Sequence, residues 1–274
     1  MRCFSLLDNL QILVRPRAKQ GDAELEVLNG MRVLSNCLVI LGNTYFFILK
    51  GPIQNLEVIE KWVSSSMFSI ILSADLIVDT FFWLSAFLAS YQLLVRMQLN
   101  EGRLPASKLE LILSRVVRLL PIYFFTMLFF WRFIVLFGGE GPLFFEYENM
   151  NRCDSNYIWH LLFLNNIVPW SGKDGCMNWT WYLACEMQFF LLVPLLIELY
   201  YHRRTLFWYS MASIWTFCAM IQVAVIYKND LSASYFTYKD EYWTVFYEKP
   251  YARIPAYLIG VAWGCSYFTY KHEQ

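Results

Sequence analysis

The chain has 274 residues, of which 58% are hydrophobic, 19% aromatic and only 16% charged, whereas a soluble domain usually carries about 25% charged residues. This excludes a large soluble core and points to a chain that crosses a membrane several times. Formal net charge is zero, so no general electrostatic argument favours nucleic acid, and membrane lipids remain as the expected surroundings.

Residues 1–30 read as a cytoplasmic N-terminal segment. Arg15, Pro16, Arg17 and Lys19 follow a short apolar patch without a small-residue cleavage site, so the segment does not resemble a signal peptide. The first predicted span, 31–49, holds Arg32 and Asn43. Eleven residues is about three helical turns, or roughly 16 Å of rise, which puts both side chains on nearly the same face. A cation at the membrane edge aligned with a polar group at depth is costly, and suggests a site running inward from the surface.

The second span, 71–95, contains Asp75 and Asp79, four residues apart on one face. Asp75 reads as an acid wetted near the helix end, and Asp79 as a polar group of the interior. Ser85, Ala86, Ala89 and Ser90 form two small-xxx-small pairs, most simply a close helix contact. Arg115 and Arg118 stand at i and i+3 where the third span, 116–137, begins. Two readings are open: topogenic charge, or a guanidinium clamp for phosphate.

Residues 158–169 are apolar but too short to span, and are predicted as a re-entrant or interfacial segment. Lone His160 there reads as a hydrogen-bonded structural residue. Cys153 and Cys176 share one polar loop and form a disulfide if that loop faces an oxidising compartment. The remaining predicted spans are 179–200, which carries Glu186, then 206–226 and the short 254–269. Six spans put both termini on one side. Most basic residues, among them Arg96, Arg103, Arg115, Arg118, Arg203 and Arg204, then fall inside, with the N-terminus cytoplasmic. The expected fold class is all-α: a polytopic membrane bundle of about six transmembrane helices plus one re-entrant segment. No metal-ligand spacing, nucleotide loop or internal repeat is present, and nothing supports a carrier built on inverted repeats.

Six blocks in order carry a resemblance. They are Phe4-Ser-Leu with Asn9-Leu10; Leu28-Asn-Gly-Met-Arg32-Val-Leu-Ser with Val39-Ile-Leu-Gly-Asn43-Thr-Tyr; and Val78-Asp-Thr-Phe-Phe-Trp-Leu-Ser-Ala-Phe-Leu88. Arg115-Val-Val-Arg118-Leu-Leu-Pro121-Ile-Tyr123, Cys176-Met-Asn-Trp-Thr-Trp-Tyr-Leu-Ala-Cys-Glu186-Met-Gln-Phe-Phe and Lys249-Pro-Tyr-Ala-Arg253-Ile-Pro-Ala-Tyr-Leu-Ile-Gly260 follow. Together they resemble the membrane acyltransferase 3 family, in particular its nose-resistant-to-fluoxetine branch. The resemblance implies a partial transmembrane domain over 31–274. It implies transfer of an acyl group, typically acetyl, from an acyl-CoA donor to a hydroxyl of a lipid or carbohydrate, with no metal.

Carried over, the donor-side arginine of the family's Arg-x10-His motif is Arg32, and the paired arginines are Arg115 and Arg118. Cys153 and Cys176 map to the lumenal cysteines, which implies the disulfide. The motif His is Asn43, and a second usual His is Asn29. The usual Gly of the Leu-Ser-Gly-Phe-Leu block is Ala86. An amide takes no proton at neutral pH, and loss of a general base commonly costs about 10²–10⁴ in rate. Asn43 would then only orient the acceptor or the thioester, and Glu186 or Asp79 would stand as substitute bases. The family core has roughly ten spanning helices against about six here, so a shortened core is expected, and activity is expected to be impaired. The alternative is a non-catalytic membrane binding or structural subunit that associates with partner membrane subunits. The location expected is an endomembrane or the plasma membrane.

Overall fold

The computed structural model describes residues 10–11, 23–50, 57, 61–62, 64–66, 68–133, 153–170, 176–231 and 241–272. The expected lead-in block and residues 134–137 of the third predicted span lie outside the described residues, as does the side chain of Asp75. Every regular element described is helical. In chain order these are α1 (Ala23–Lys50), α2 (Phe68–Leu72), α3 (Ala74–Leu99), α4 (Lys108–Leu128, continued by a π turn Phe129–Phe133) and α5 (Cys153–Leu161). A 3₁₀ turn (Asn178–Thr180), α6 (Trp181–Phe190), α7 (Val193–His202), α8 (Arg204–Asn229), a π turn (Tyr242–Tyr247) and α9 (Pro250–His272) follow.

Among the described residues, five helical stretches are long and apolar enough to cross a membrane: Leu25–Phe46, Leu76–Leu99, Lys108–Phe133, Asn178–His202 and Arg204–Asn229. The sixth expected span, 254–269, lies within α9. At 23 residues α9 is about 34 Å long, yet it is less apolar, with Arg253 and Gly260 buried inside the bundle. A helix face turned toward other helices tolerates polar and small residues that a lipid-facing one does not.

Local chemistry sets the helix ends. Ser107 caps α4 through a capping box: its hydroxyl accepts from the Glu110 N–H at 3.2 Å, and its own N–H donates to Glu110 Oε2 at 2.8 Å. The turn before it is held by the Asn100 amide, which donates to the Arg103 and Leu104 carbonyls at 3.2 Å. Gly102 there adopts φ +81°, a conformation that suits a residue without Cβ. The predicted span 179–200 is broken at Leu191–Leu192 into α6 and α7. Pro194, in the first turn of α7, has no N–H to continue the ladder. Pro255 in α9 likewise frees the Tyr251 carbonyl, which accepts instead from Gln222 Nε2 of α8 at 2.8 Å.

The core is the seam between α3 and α9, with α6 and α7 closing over it through Phe82, Leu94, Met97, Phe189, Ile197, Tyr257 and Val261. Of the predicted small-residue pairs, Ala86 and Ser90 lie on this seam, whereas Ser85 and Ala89 line a cavity on another side of α3. A Cβ at Gly260 would meet the Ala86 Cβ at 2.8 Å, and one at Gly264 would meet the Ser90 Cβ at 3.0 Å.

Residues 158–169 form neither a span nor a continuous helix. The last turn of α5 ends at Leu161, and the chain turns irregularly to Trp170. Buried side chains satisfy this backbone. Lys249, 1% exposed, donates to the Asn166 and Trp170 carbonyls at 2.7 and 3.0 Å, and Gln188 Nε2 donates to the Phe163 carbonyl at 2.8 Å. Irregular backbone is tolerated at a membrane only where protein supplies such partners. A disulfide joins Cys153 to Cys176 and ties the start of α5 to the start of the α6 segment.

This tie sets His160 into the core. Its Nδ1 lies 2.9 Å from the Tyr123 hydroxyl and 3.2 Å from Thr180 Oγ1. Burial lowers its pKa to about 4. The unfolded chain therefore binds a proton near the ordinary value of 6.5, which the folded chain refuses until about 4. Stability is full above pH 6.5 and falls as pH drops toward 4, by at most about 3 kcal/mol. His160→Gln should remove this part of the acid sensitivity, read as melting temperature against pH. An unchanged slope would assign the sensitivity to other groups.

Candidate functional site

Four helices converge on a cavity of about 630 Å³ lined by arginines. α1 contributes Arg32, α3 contributes Ser85, Gln92 and Arg96, α4 contributes Ser114, Arg115 and Arg118, and α6 contributes Tyr182 and Phe190. The helical period explains the grouping. Arg115 and Arg118 are one turn apart, Gln92 and Arg96 are at i and i+4, and Ser85 lies about three turns from Arg96 on the same face. The capped turn between α3 and α4 holds the two arginine-bearing faces together.

Glu186 of α6 stands behind the lining residues Arg115 and Ser85. Its Oε1 accepts from Arg115 Nη2 and from the Ser85 hydroxyl. The pair is largely buried, with side-chain exposures of 14% for Arg115 and 5% for Glu186. The Arg115 guanidinium also lies over the Phe190 ring at 4.2 Å. The contact engages one end of each group only: Glu186 Oε2 and Arg115 Nε are both buried without a hydrogen-bond partner. Four guanidinium groups against one carboxylate make the cavity strongly cationic. Forked, permanently charged donors suit phosphate oxygens, which they bind bidentately.

The candidate residues separate into two groups. Arg32, Arg115 and Arg118 line this one cavity, with Glu186 bonded to Arg115. Asn43 and Asp79 are not among its lining residues. Asn43 is exposed, and its amide donates to the Val39 carbonyl of its own helix at 3.0 Å. Asp79 is paired with Arg253 at 3.1 Å. That arginine also donates from Nε to the Tyr247 carbonyl at 2.9 Å and lies over the Tyr247 and Trp181 rings at 4.0 and 5.4 Å. Asp79 thus belongs to a clasp between α3 and α9.

Sequence reasoning missed Arg96, which it read as topogenic charge. The available signal was its register with Gln92 and Ser85 on one face of α3. It also missed Lys249 and Arg253, because a basic residue in a polar, aromatic stretch reads as a loop residue until its partners are seen.

Near the buried segment, Glu248 precedes Lys249. Desolvation raises its carboxyl to about 7, with the neighbouring ammonium opposing the rise. Desolvation lowers the Lys249 ammonium, and the Glu248 charge opposes that shift.

Residues 25–274 match a family model described as an acyltransferase domain. The chain is 28% identical over 286 residues to nose resistant to fluoxetine protein 6 of Caenorhabditis elegans, an alignment covering 94% of this chain and 33% of that protein. The chain therefore spans about a third of the length of this curated relative. No solved structure matches.

Proposed function

The chain belongs to the acyltransferase 3 family, as an integral membrane protein, and on that premise we propose that its arginine-lined cavity takes the phosphorylated part of an acyl-CoA donor. The donor would be acetyl-CoA in the simplest case, presented for transfer to a hydroxyl of a lipid or carbohydrate. The observation that carries this reading is the convergence of Arg32, Arg96, Arg115 and Arg118 on one cavity. Arg115 and Arg118 offer forks from one helix face, while Arg32 and Arg96 offer charge from two others. The positive-inside bias of the chain supports a cytoplasmic position for this end, where acyl-CoA is found.

Arg118→Ala is the direct test. It removes one lining cation and leaves the Arg115–Glu186 pair in place. Loss of charge-assisted hydrogen bonds worth about 1.5–3 kcal/mol weakens acetyl-CoA binding about 10- to 150-fold. Titration of the purified protein with acetyl-CoA, beside phosphate-free acetyl-pantetheine, reads this out. Equal binding of the two ligands would sink the proposal.

One observation favours a second reading. The position where family members are expected to carry the base holds Asn43, whose amide is engaged by its own helix and lies away from the cavity. A protein that binds donor without transferring it, as a membrane subunit acting through lipids or other subunits, fits that arrangement. Transfer of label from acetyl-CoA above background in a preparation of the whole protein rules this reading out.

A further inference from the structure

Among the described residues, Arg115 is the cavity arginine bonded to a carboxylate. The bond joins Arg115 Nη2 to Glu186 Oε1, and the second oxygen of Glu186 and the Nε of Arg115 are buried without partners. A phosphate entering among four guanidinium groups must therefore compete with Glu186 for the arginine nearest to it. Both anions on Arg115 would set two negative charges side by side at a guanidinium that is only 14% exposed. Yielding Arg115 leaves a carboxylate, 4% exposed, with only the Ser85 hydroxyl for company. A buried carboxylate that has lost its cation is costly, and a proton from solvent removes the stranded charge.

We infer that Glu186 is a resident anion of the cavity: it gives Arg115 up to a phosphate oxygen of the ligand and takes one proton from solvent, at Oε2, as it does so. The inference rests on the donor-site reading and specifies how that site selects its ligand. A weak or singly charged anion does not repay the lost pair, whereas a diphosphate that also reaches Arg118, Arg96 and Arg32 does. The charge change is balanced, since the ligand brings negative charge to Arg115 while the proton cancels that of Glu186.

The groups that face Glu186 are few. Ser85 of α3 and Arg115 of α4 touch it. Tyr257 of α9, whose hydroxyl is also buried without a partner, is close enough to feel the charges of Glu186 and Arg115. Tyr182 and Cys185 flank it on α6 and feel its charge, and Arg32 of α1 reaches Tyr182. Of these, Glu186 alone is an acid that ionises fully in water at neutral pH, so proton uptake on binding is assigned to it.

The test is calorimetric titration of the purified full chain with dephospho-coenzyme A, whose diphosphate diester does not titrate between about pH 6 and 8. Measurements in two buffers of different ionisation enthalpy count the protons. The expected result is uptake approaching one proton per ligand, with affinity falling by as much as about tenfold per unit rise in pH. Glu186→Gln keeps the shape and removes the competitor. It should bind about tenfold or more tightly at the upper end of the range, and without pH dependence. A merely structural Glu186 would leave the variant less stable with binding unimproved. Wild-type binding with no proton uptake overturns this inference and leaves the donor site standing. No binding by either protein overturns both. Should Glu186→Gln fail to fold, the wild-type proton count decides alone.

Discussion

Replacing Gly260 with valine will force α3 and α9 apart and unfold the bundle. A Cβ at Gly260 would sit 2.4 Å from the Trp83 carbonyl oxygen, 2.8 Å from the Ala86 Cβ and 3.0 Å from the Trp83 Cα. Two of these atoms are backbone, so the clash cannot be relieved by turning a side chain. One turn later, a Cβ at Gly264 would meet the Phe87 carbonyl oxygen at 2.7 Å. The two helices therefore touch backbone to backbone over two turns. Overpacking by one or two methyl groups commonly costs about 1–3 kcal/mol; here helix separation also exposes Phe82, Tyr257, Val261 and Cys265, which pack across or beside the seam. We expect a total above about 3 kcal/mol, a large share of a typical stability. The readout is melting temperature in detergent together with alkylation of Cys185 and Cys265, both buried in the native protein. Ile259→Val, at a neighbouring position that is 47% exposed, is the control and should change neither. Native protection of Cys265 in Gly260→Val at ordinary temperature would refute the contact.

The second large effect is expected at Arg253. Arg253→Leu removes the partner of Asp79, the donor to the Tyr247 carbonyl and the cation over two aromatic rings. Breaking a buried ion pair from one side costs about 3–5 kcal/mol because it strands the other charge. Asp79, with a side-chain exposure of 31%, retains some access to water, so the lower end of that range applies. The double variant Asp79→Asn with Arg253→Leu leaves no stranded carboxylate and should recover a large part of the loss. Urea or thermal unfolding of the two single variants and the double variant supplies the cycle. Strict additivity would show that the pair contributes nothing and that Arg253 acts only through Tyr247 and the rings.

The all-helical class was legible because long apolar runs leave little choice in a bilayer, where each backbone group must be bonded within its own segment. The fate of 254–269 shows where that logic thins: a helix face packed on other helices is released from the apolar rule, so α9 reads weakly although it forms half of the main seam. The grouping of Arg32, Arg115 and Arg118 was legible from helix faces and from a family resemblance. The position of Glu186 against Arg115 was not, because the two residues are 71 positions apart and nothing local marks the pairing. Asp79 read as a polar group of the interior, with its partner unidentified, for the same reason. Its partner lies 174 positions later, and only the folded bundle shows that the carboxylate holds helices together. Asn43 was legible as an anomaly but not as a position away from the cavity, since helical phase fixes a direction and not what stands opposite.

The clasp between Asp79 and Arg253 also bears on how the protein is made. At about 5–20 residues per second, the ribosome delivers Arg253 about 9–35 s after Asp79. The Lys249 ammonium likewise arrives about 4–17 s after the Asn166 carbonyl that accepts from it. Through those intervals α3 carries an acid with no counter-ion, and the segment before Trp170 carries carbonyls with no donor. Settling helix by helix into lipid is costly for a nascent chain in this condition, by about 2.5–3.5 kcal/mol for an ionised acid at the helix centre. These polar groups stay without their partners until α9 arrives. Pairing of this interior therefore waits for residues 249–253, and a ribosome that stalls before residue 249 leaves the Asn166 carbonyl and the Asp79 carboxylate without these partners.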